Sequence, residues 1–388
     1  MNKIRIGAYL SAFFIIFTNN AYGLDAEILK LTKDGKERRI KIEYELKVNK
    51  PAVDKDHPIY VFASYRSGQS NSDWIRPLHS NIDMDGDGLR GEQHDGILFS
   101  AEKHTMYFYY EGEGLKDGVL LREEFILRIH AIEIVLVPKG SYIIGNDNAT
   151  YEVDGSVNLN AFYAMKYPVT VKQYVQYLNE TKNTDSRAKR CQKKYNRKMS
   201  DQLACGIMRE KKAGRYYYTV SPGRENAPVV YVTWFNAYDY ARWAGLRLLT
   251  EVEWEVLARG KGARRYSWGD SPEPSGVVCN MFNDGLDYAS DVYKYEDIWN
   301  KLGLSSPFGA MELTGNVWEW VDTYWYDYSE GIYDETKSPT SYNNLANRLI
   351  RGGDWGVKEK WLRAAARDND ITSSSLNYGI GFRCGMDY

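Results

Sequence analysis

FGAMELTGNVWEW at residues 308–320 and RLIRGGDWG at residues 348–356 set glycines directly beside tryptophans and arginines. Gly315, Gly352 and Gly353 stand where the backbone must turn tightly past indole rings, and glycine enters the left-handed region there without a Cβ clash. Trp318, Trp320, Trp355 and Trp361 bring core volume that a few short helices could not supply, so this region reads as the centre of a loop-rich interior. Arg348, Arg351, Arg363, Arg367 and Arg383 crowd the same part of the chain, with Asp354 and Asp368 at hand as partners. Planar guanidinium groups that stack on tryptophan and pair with carboxylates account for them as scaffold.

Working toward the N-terminus, the same Gly-, Trp- and Tyr-rich texture runs back to about residue 134, broken by short helices. In VTVKQYVQYLNE, Thr170 and Gln173 form a capping box, and the helix it opens turns Tyr174, Val175 and Leu178 inward. Thr250 and Glu253 repeat the device, so LTEVEWEVLARG predicts a helix ended by Gly260. WFNAYDYARWAG predicts a third, ending at Gly245. Segments 183–226 and 282–305 show no clear period and read as long insertions.

Before residue 134 the signals change to strands. KIEYELKV (41–48), IYVFASY (59–65), TMYFYYEG (105–112) and EEFILRIHAIEIVLV (123–137) alternate or cluster β-branched and aromatic residues, with turn-rich stretches between them. They predict a small β-sandwich over residues 24–133. Within it, Asp83, Asp85 and Asp87 alternate ahead of Gly88, as at the opening of a calcium loop, but His94 stands where a bidentate Glu belongs. The alternative is a polar Asp/Gly turn joining two strands.

The chain has 388 residues, 43% hydrophobic and 26% charged, which fits two soluble domains better than one core or a disordered polymer. A net charge of -2 gives no basic footprint for nucleic acid. Lys3 and Arg5, the apolar stretch Ile6 to Phe17, and Ala21-Tyr22-Gly23 form a secretory signal over residues 1–23. About 12 apolar residues are too few to span ~30 Å of hydrocarbon. The expectation is a secreted or periplasmic protein starting near Leu24, with no transmembrane segment in the mature chain. Export makes Cys191, Cys205, Cys279 and Cys384 disulfide candidates, and four cysteines allow three pairings. Without CxxC, and without any His after His130, zinc is disfavoured.

The order of segments resembles the formylglycine-generating enzyme or sulfatase-modifying-factor family. VLVPKGSYIIGN (135–146), FYAMKYPVTVKQYVQYLN (162–179), APVVYVTWFNAYDYARWAGLRLLTEVEWEVLARG (227–260), RRYSWGD (264–270), FGAMELTGNVWEW, RLIRGGDWG, LRAAARD (362–368) and GFRC (381–384) follow in family order. The resemblance implies an α+β, C-type-lectin-like domain over residues 134–388, preceded by the β-sandwich. It also implies structural calcium at the Glu312 side chain, the Gly315 and Val317 carbonyls and the Glu319 carboxylate, unless Glu319 merely pairs with an arginine. A second family calcium site would begin near Asn280, where the sequence diverges.

The family's oxidases carry two copper-binding cysteines between the RGG motif and the RxAxR segment, and related iron-dependent members use histidines. Here Asp354 to Leu362 reads DWGVKEKWL, without Cys or His. No copper or iron is therefore expected. The same fold serves as the variable receptor of diversity-generating retroelements, which bind through the RGG-to-GFR interval. By that resemblance the first reading is binding of a protein or glycan ligand, through Asp354, Trp355, Lys358, Glu359, Lys360, Trp361, Asn369, Asn377 and Tyr378. The alternatives are a modifying enzyme of altered chemistry, with Tyr378, Asp354 or Cys384 as base or nucleophile, and a structural part of the envelope.

Overall fold

The computed structural model describes residues 24–34, 39–48, 58–66, 82–83, 97–98, 103–109, 126–145, 155–181, 206–212, 215–262, 264–271, 279, 288–302, 304–324, 347–368 and 371–388. The chain divides into one unit of Met1–Ile134 with Glu180–Lys182 and a second of Val135–Asn179 with Asn183–Tyr388.

The strands of the first unit, in chain order, are β1 (Leu24–Asp34), β2 (Arg39–Val48), β3 (Ile59–Arg66), β4 (Ile82–Asp83), β5 (Ile97–Leu98), β6 (Lys103–Tyr109) and β7 (Ile126–Val137). They form an antiparallel sheet in the order β1-β2-β6-β4, while β3 pairs antiparallel with β5 and β7. In β2 the residues Ile40, Ile42, Tyr44 and Leu46 are buried and their neighbours are not, the period of two expected of a half-buried strand. β7 runs across the boundary between the units. Of the Asp83, Asp85 and Asp87 series, Asp83 ends β4 opposite Tyr107, and the other two lie outside the described residues.

The second unit contains β8 (Gly140–Ile144), β9 (Gly155–Leu159), β10 (Phe162–Met165), α1 (Val171–Glu180), β11 (Ile207–Lys212), β12 (Arg215–Val220), α2 (Trp234–Ala244), β13 (Arg247–Leu248), α3 (Glu251–Arg259), α4 (Glu296–Leu302), β14 (Trp318–Tyr324), β15 (Arg348–Arg351), β16 (Arg367–Asp368), β17 (Ile380–Phe382) and β18 (Cys384–Asp387). A sheet in the order β16-β15-β14-β17 holds the GNVWEW and RGG segments side by side, with β14 and β17 parallel. β18 pairs antiparallel with both β10 and β13. Sheet-rich and short in helix, this is an α+β domain of the C-type-lectin-like class.

The capping boxes form as their sequences require. Thr170 N–H donates to Gln173 Oε1 at 2.9 Å and Gln173 N–H to Thr170 Oγ1 at 3.3 Å. Thr250 and Glu253 do the same for α3, and Gly245 ends α2 in the left-handed conformation. Tyr174, Val175 and Leu178 are buried.

The two segments without a clear period correct the sequence expectation in part. Residues 207–212 and 215–220 pair as β11 and β12, favoured by the β-propensity of Tyr216, Tyr217 and Tyr218, and α4 lies within the other segment. Of the four disulfide candidates, Cys279 and Cys384 are corrected: both stand as buried thiols. Cys279 packs with Tyr266 and Leu362, whereas Cys384 is paired into β18 opposite Leu248. Cys191, Cys205 and Asn280 lie outside the described residues.

Candidate functional site

The centre of the second unit is an ionic and aromatic frame. Glu319 on β14 is fully buried, and Arg383 grips it with Nε to Oε2 at 2.7 Å and Nη2 to Oε1 at 2.8 Å. Trp254 Nε1–H donates to the same Oε2 at 2.7 Å. The rest of the Arg383 fork donates to the carbonyls of Met165, Lys166, Met311 and Glu312, so one cation ties two separate segments to β14.

A second set centres on α3. Glu255 accepts from Arg259 and Arg351, and Arg351 also donates to the Ala365 and Ala366 carbonyls at 2.8 and 2.9 Å. Glu251 takes both Nε and Nη2 of Arg367. Arg348 stacks 3.7 Å from the Trp234 ring centroid. The guanidinium scaffold is present, and it pairs with Glu251, Glu255 and Glu319, with Asp322 beside Arg348. The carboxylates come from a helix and a strand, whose rigid backbones hold them under the loops.

Above the frame lies the turn before β14. Glu312 and Asn316 adopt φ of +58 and +66, and a residue with a Cβ takes such values only where its surroundings hold it there. The Asn316 side chain accepts from Ser290 N–H at 2.8 Å, and its carbonyl accepts from Trp355 N–H at 3.2 Å. Glu312 is buried at 1% exposure, and neither of its carboxylate oxygens reaches a donor at hydrogen-bonding geometry. Burial pushes its carboxyl up to about 8, while Asn316 and Arg383 nearby pull the other way. An orphaned, desolvated carboxylate of this kind suits a hard cation.

Glu319 makes the arginine pair that stands as the alternative to calcium: Arg383 donates to both of its oxygens and Trp254 to one of them. The Gly315 carbonyl already accepts from Val317 N–H at 2.8 Å, leaving it a second lone pair.

The RGG-to-GFR interval makes an outward face. Tyr378 is 48% exposed and Trp361 37% exposed, the latter with Lys360 Nζ 5.2 Å from its ring centroid. Trp355 is half-buried, its ring 5.5 Å from that of Tyr378, and the Tyr231 ring lies 6.4 Å from that of Tyr378. Trp361 meets the buried Trp318 edge-on at 6.3 Å. Lys358 and Glu359 are exposed, and Glu359 accepts from the Tyr266 hydroxyl at 2.7 Å.

Two expected surface residues serve the backbone instead. Asp354 is buried, accepts from Gly356 N–H at 2.9 Å, and is pushed up to about 6 by that burial. A Cβ on Gly379 would lie 1.9 Å from Asp354 Oδ2, so glycine is required there for close approach. Asn377 accepts from Gly379 N–H at 2.9 Å and shapes the turn that presents Tyr378. Asn369 lies outside the described residues. Trp361, read from the sequence both as core volume and as part of the binding interval, is exposed, and Tyr231, at φ +60, is the aromatic that sequence reasoning missed. Only that unusual backbone sets it apart.

Residues 127–388 match the family model described as sulfatase-modifying factor enzyme 1-like domain. The chain belongs to this family. It is similar to a formylglycine-generating enzyme of Streptomyces coelicolor, with 37% identity over 172 residues that cover 42% of this chain and 54% of that one. It is also similar to the serine/threonine-protein kinase pkn1 of Chlamydia pneumoniae, with 32% identity over 265 residues covering 66% of this chain and 38% of the other. The chain thus spans about half or less of these two relatives. Among solved structures, Treponema denticola variable protein 1 is similar at 15% identity and TM-score 0.48, with 67% of this chain and 96% of that chain covered.

Proposed function

We propose that this sulfatase-modifying-factor domain is a recognition module that binds a protein or glycan through the face of Trp355, Trp361 and Tyr378. The observation that carries the reading is the pair of exposed aromatic rings, Tyr378 at 48% and Trp361 at 37%, set on the two connections that flank β16. Aromatic rings offer large contact area at low entropic cost, and Lys358, Glu359 and Lys360 add a polar rim. The interval where the family's oxidases carry cysteines reads DWGVKEKWL. Cys384 is fully buried, with its thiol raised by that burial, which makes it a poor nucleophile. The signal at residues 1–23 supports export, and no helix among the described residues is long and apolar enough to cross a membrane.

The domain's calcium falls to Glu312 with the Gly315 and Val317 carbonyls, and Glu319 stays with Arg383. Calcium there would neutralise a buried carboxylate and fasten the turn that leads to Trp355.

Family membership also favours a second reading, a modifying enzyme whose chemistry departs from the thiol-copper pattern. Wild type and Trp361→Ala/Tyr378→Ala protein on a glycan array and in envelope-extract pull-downs separate the two. Selective signals that vanish in the double variant support recognition. Stoichiometric copper or iron, with oxygen consumption on a cysteine-containing peptide, would sink it.

A further inference from the structure

β14 reaches the recognition face at one end and a cavity near the other. Trp318, its first residue, meets Trp361 edge-on. Asp322 lies four residues further on, roughly 13 Å along an extended strand, and lines a cavity of about 740 Å³ that shares no residue with the face. We infer that this cavity is a second binding site, built for a neutral saccharide.

The cavity forms where several strand ends meet. β18 ends with Asp387 opposite Phe162 of β10, and Arg247 of β13 stands opposite Gly385 of β18. Arg247 commits every N–H of its guanidinium to the wall. Nε and Nη2 donate to Asp387 Oδ1 at 2.9 and 2.6 Å, and Nη1 and Nη2 donate to Glu253 Oε2 and Oε1 at 2.7 Å each. Nη1 also donates to the Leu248 carbonyl at 3.2 Å. Glu253 is tied in turn to the start of α3, because its Oε2 accepts from Thr250 N–H at 2.9 Å. The wall is therefore fixed before a ligand arrives, and binding does not have to order it.

The rest of the lining is mixed in character. Buried Phe162 and Leu248 give it an apolar part, and the Tyr388 ring, 47% exposed, stacks on buried Tyr163 at 5.6 Å and 26°. Asp322 keeps 18% of its side chain in solvent, and Lys139 and Asn160 are exposed. The volume falls within the range of about 300–1,000 Å³ typical of small-ligand clefts. Charge decides the class of ligand. Glu253, Asp322 and Asp387 are matched by Lys139, Arg247 and Arg348, the last with Nη1 3.5 Å from Asp322 Oδ1. A balanced lining gives neither an anion nor a cation enough net attraction to offset its lost hydration. A sugar needs no such offset. Its hydroxyls donate to carboxylate and amide oxygens, accept from ammonium and amide N–H groups, and leave an apolar C–H face to lie on an aromatic ring.

The test is saturation-transfer NMR with calorimetric titration of the full chain. The probes are maltose, cellobiose, lactose and N,N′-diacetylchitobiose at millimolar concentration, with spermidine and inorganic phosphate as charged controls. At least one disaccharide is expected to bind, and neither charged control. Asp322→Asn should weaken that binding about tenfold, as expected for a hydrogen bond to a charged acceptor. Tyr388→Ala should weaken it by a similar factor through the lost ring, and Trp361→Ala/Tyr378→Ala should bind the disaccharide as wild type does. If Asp322→Asn fails to fold, Lys139→Ala/Asn160→Ala, both at exposed positions, reads the site in its place. Silence from all four disaccharides overturns the proposal, as does full binding by both Tyr388→Ala and Lys139→Ala/Asn160→Ala. Binding that vanishes only in Trp361→Ala/Tyr378→Ala overturns it too, by assigning the sugar to the aromatic face. So does spermidine or phosphate bound in the cavity in place of sugar. The reading of the aromatic face is tested separately, by its own double variant.

Discussion

Trp254 and Trp361 belong to one domain and meet opposite conditions. Trp254 is fully buried, its indole N–H given to Glu319 and the Arg351 guanidinium 5.6 Å from its ring centroid. Trp361 keeps 37% of its surface in solvent, with a single lysine over its ring. In the first region Glu255, Glu319 and Arg383 each meet several fixed partners, so these side chains are committed to holding the fold together. In the second, large rings are steadied from below and left open above. A loop-rich fold can present an uncommitted aromatic face because its rigidity comes from the buried one.

The sharpest way to break this contrast is to remove Arg383. Arg383→Ala strips a buried carboxylate of its counter-charge and frees four backbone carbonyls at once. The expected loss is about 3–5 kcal/mol in chemical denaturation, the range for breaking a buried pair from one side. A loss below about 1 kcal/mol would mean that the frame does not hold the loops.

Asp354 tests the border between the two regions. Its carboxyl rises from 3.8 to about 6 on burial, so the ionised form is the disfavoured one in the folded state. The contribution to stability is complete below the unfolded value and is lost as the pH climbs through about 6. Asp354→Asn removes that titration. Against it, wild type should lose up to about 3 kcal/mol between pH 4 and 7. Parallel stability profiles for the two proteins would show that Asp354 is not desolvated.

Glu312 gives the next effect. Calcium at a hundredfold excess over its dissociation constant should stabilise the protein by about 2.7 kcal/mol. Glu312→Gln should abolish that gain and leave the ion-free protein nearly unchanged. Thermal melts with calcium and with chelator measure both, and a gain that persists in the variant would move the ion elsewhere.

The frame was legible in the sequence because its parts follow local rules. Thr250 with Glu253, Gly245 after α2, and the alternation in β2 each announce an element from neighbouring residues alone. What the sequence could not convey was pairing at a distance. Arg383 and Glu319 lie 64 residues apart, and Arg351 and Glu255 lie 96 apart, so nearby Asp354 and Asp368 looked like the natural partners. The aromatic face was legible as an interval but not residue by residue. GNVWEW and DWGVKEKW carry tryptophans of the same type, and only packing decides that Trp320 is buried at 1% while Trp361 is exposed. Tyr231 gave no signal at all, since its place in the face depends on a backbone angle.

The smallest expected effect on stability is also the one that bears on function. Trp361→Ala gives up one edge-on contact with Trp318, and Tyr378→Ala gives up contacts among rings already half in water. Each should cost about 1 kcal/mol or less in denaturation, against the several expected at Arg383. Ligand binding by the double variant should nevertheless disappear, because hot spots sit in large anchored rings rather than in the charged rim. Lys358→Ala and Lys360→Ala, by contrast, should change binding only a few-fold and mainly at low salt. If the lysine variants lose binding and the aromatic variant keeps it, the face works by charge. The difference between a committed and an uncommitted tryptophan would then say nothing about recognition.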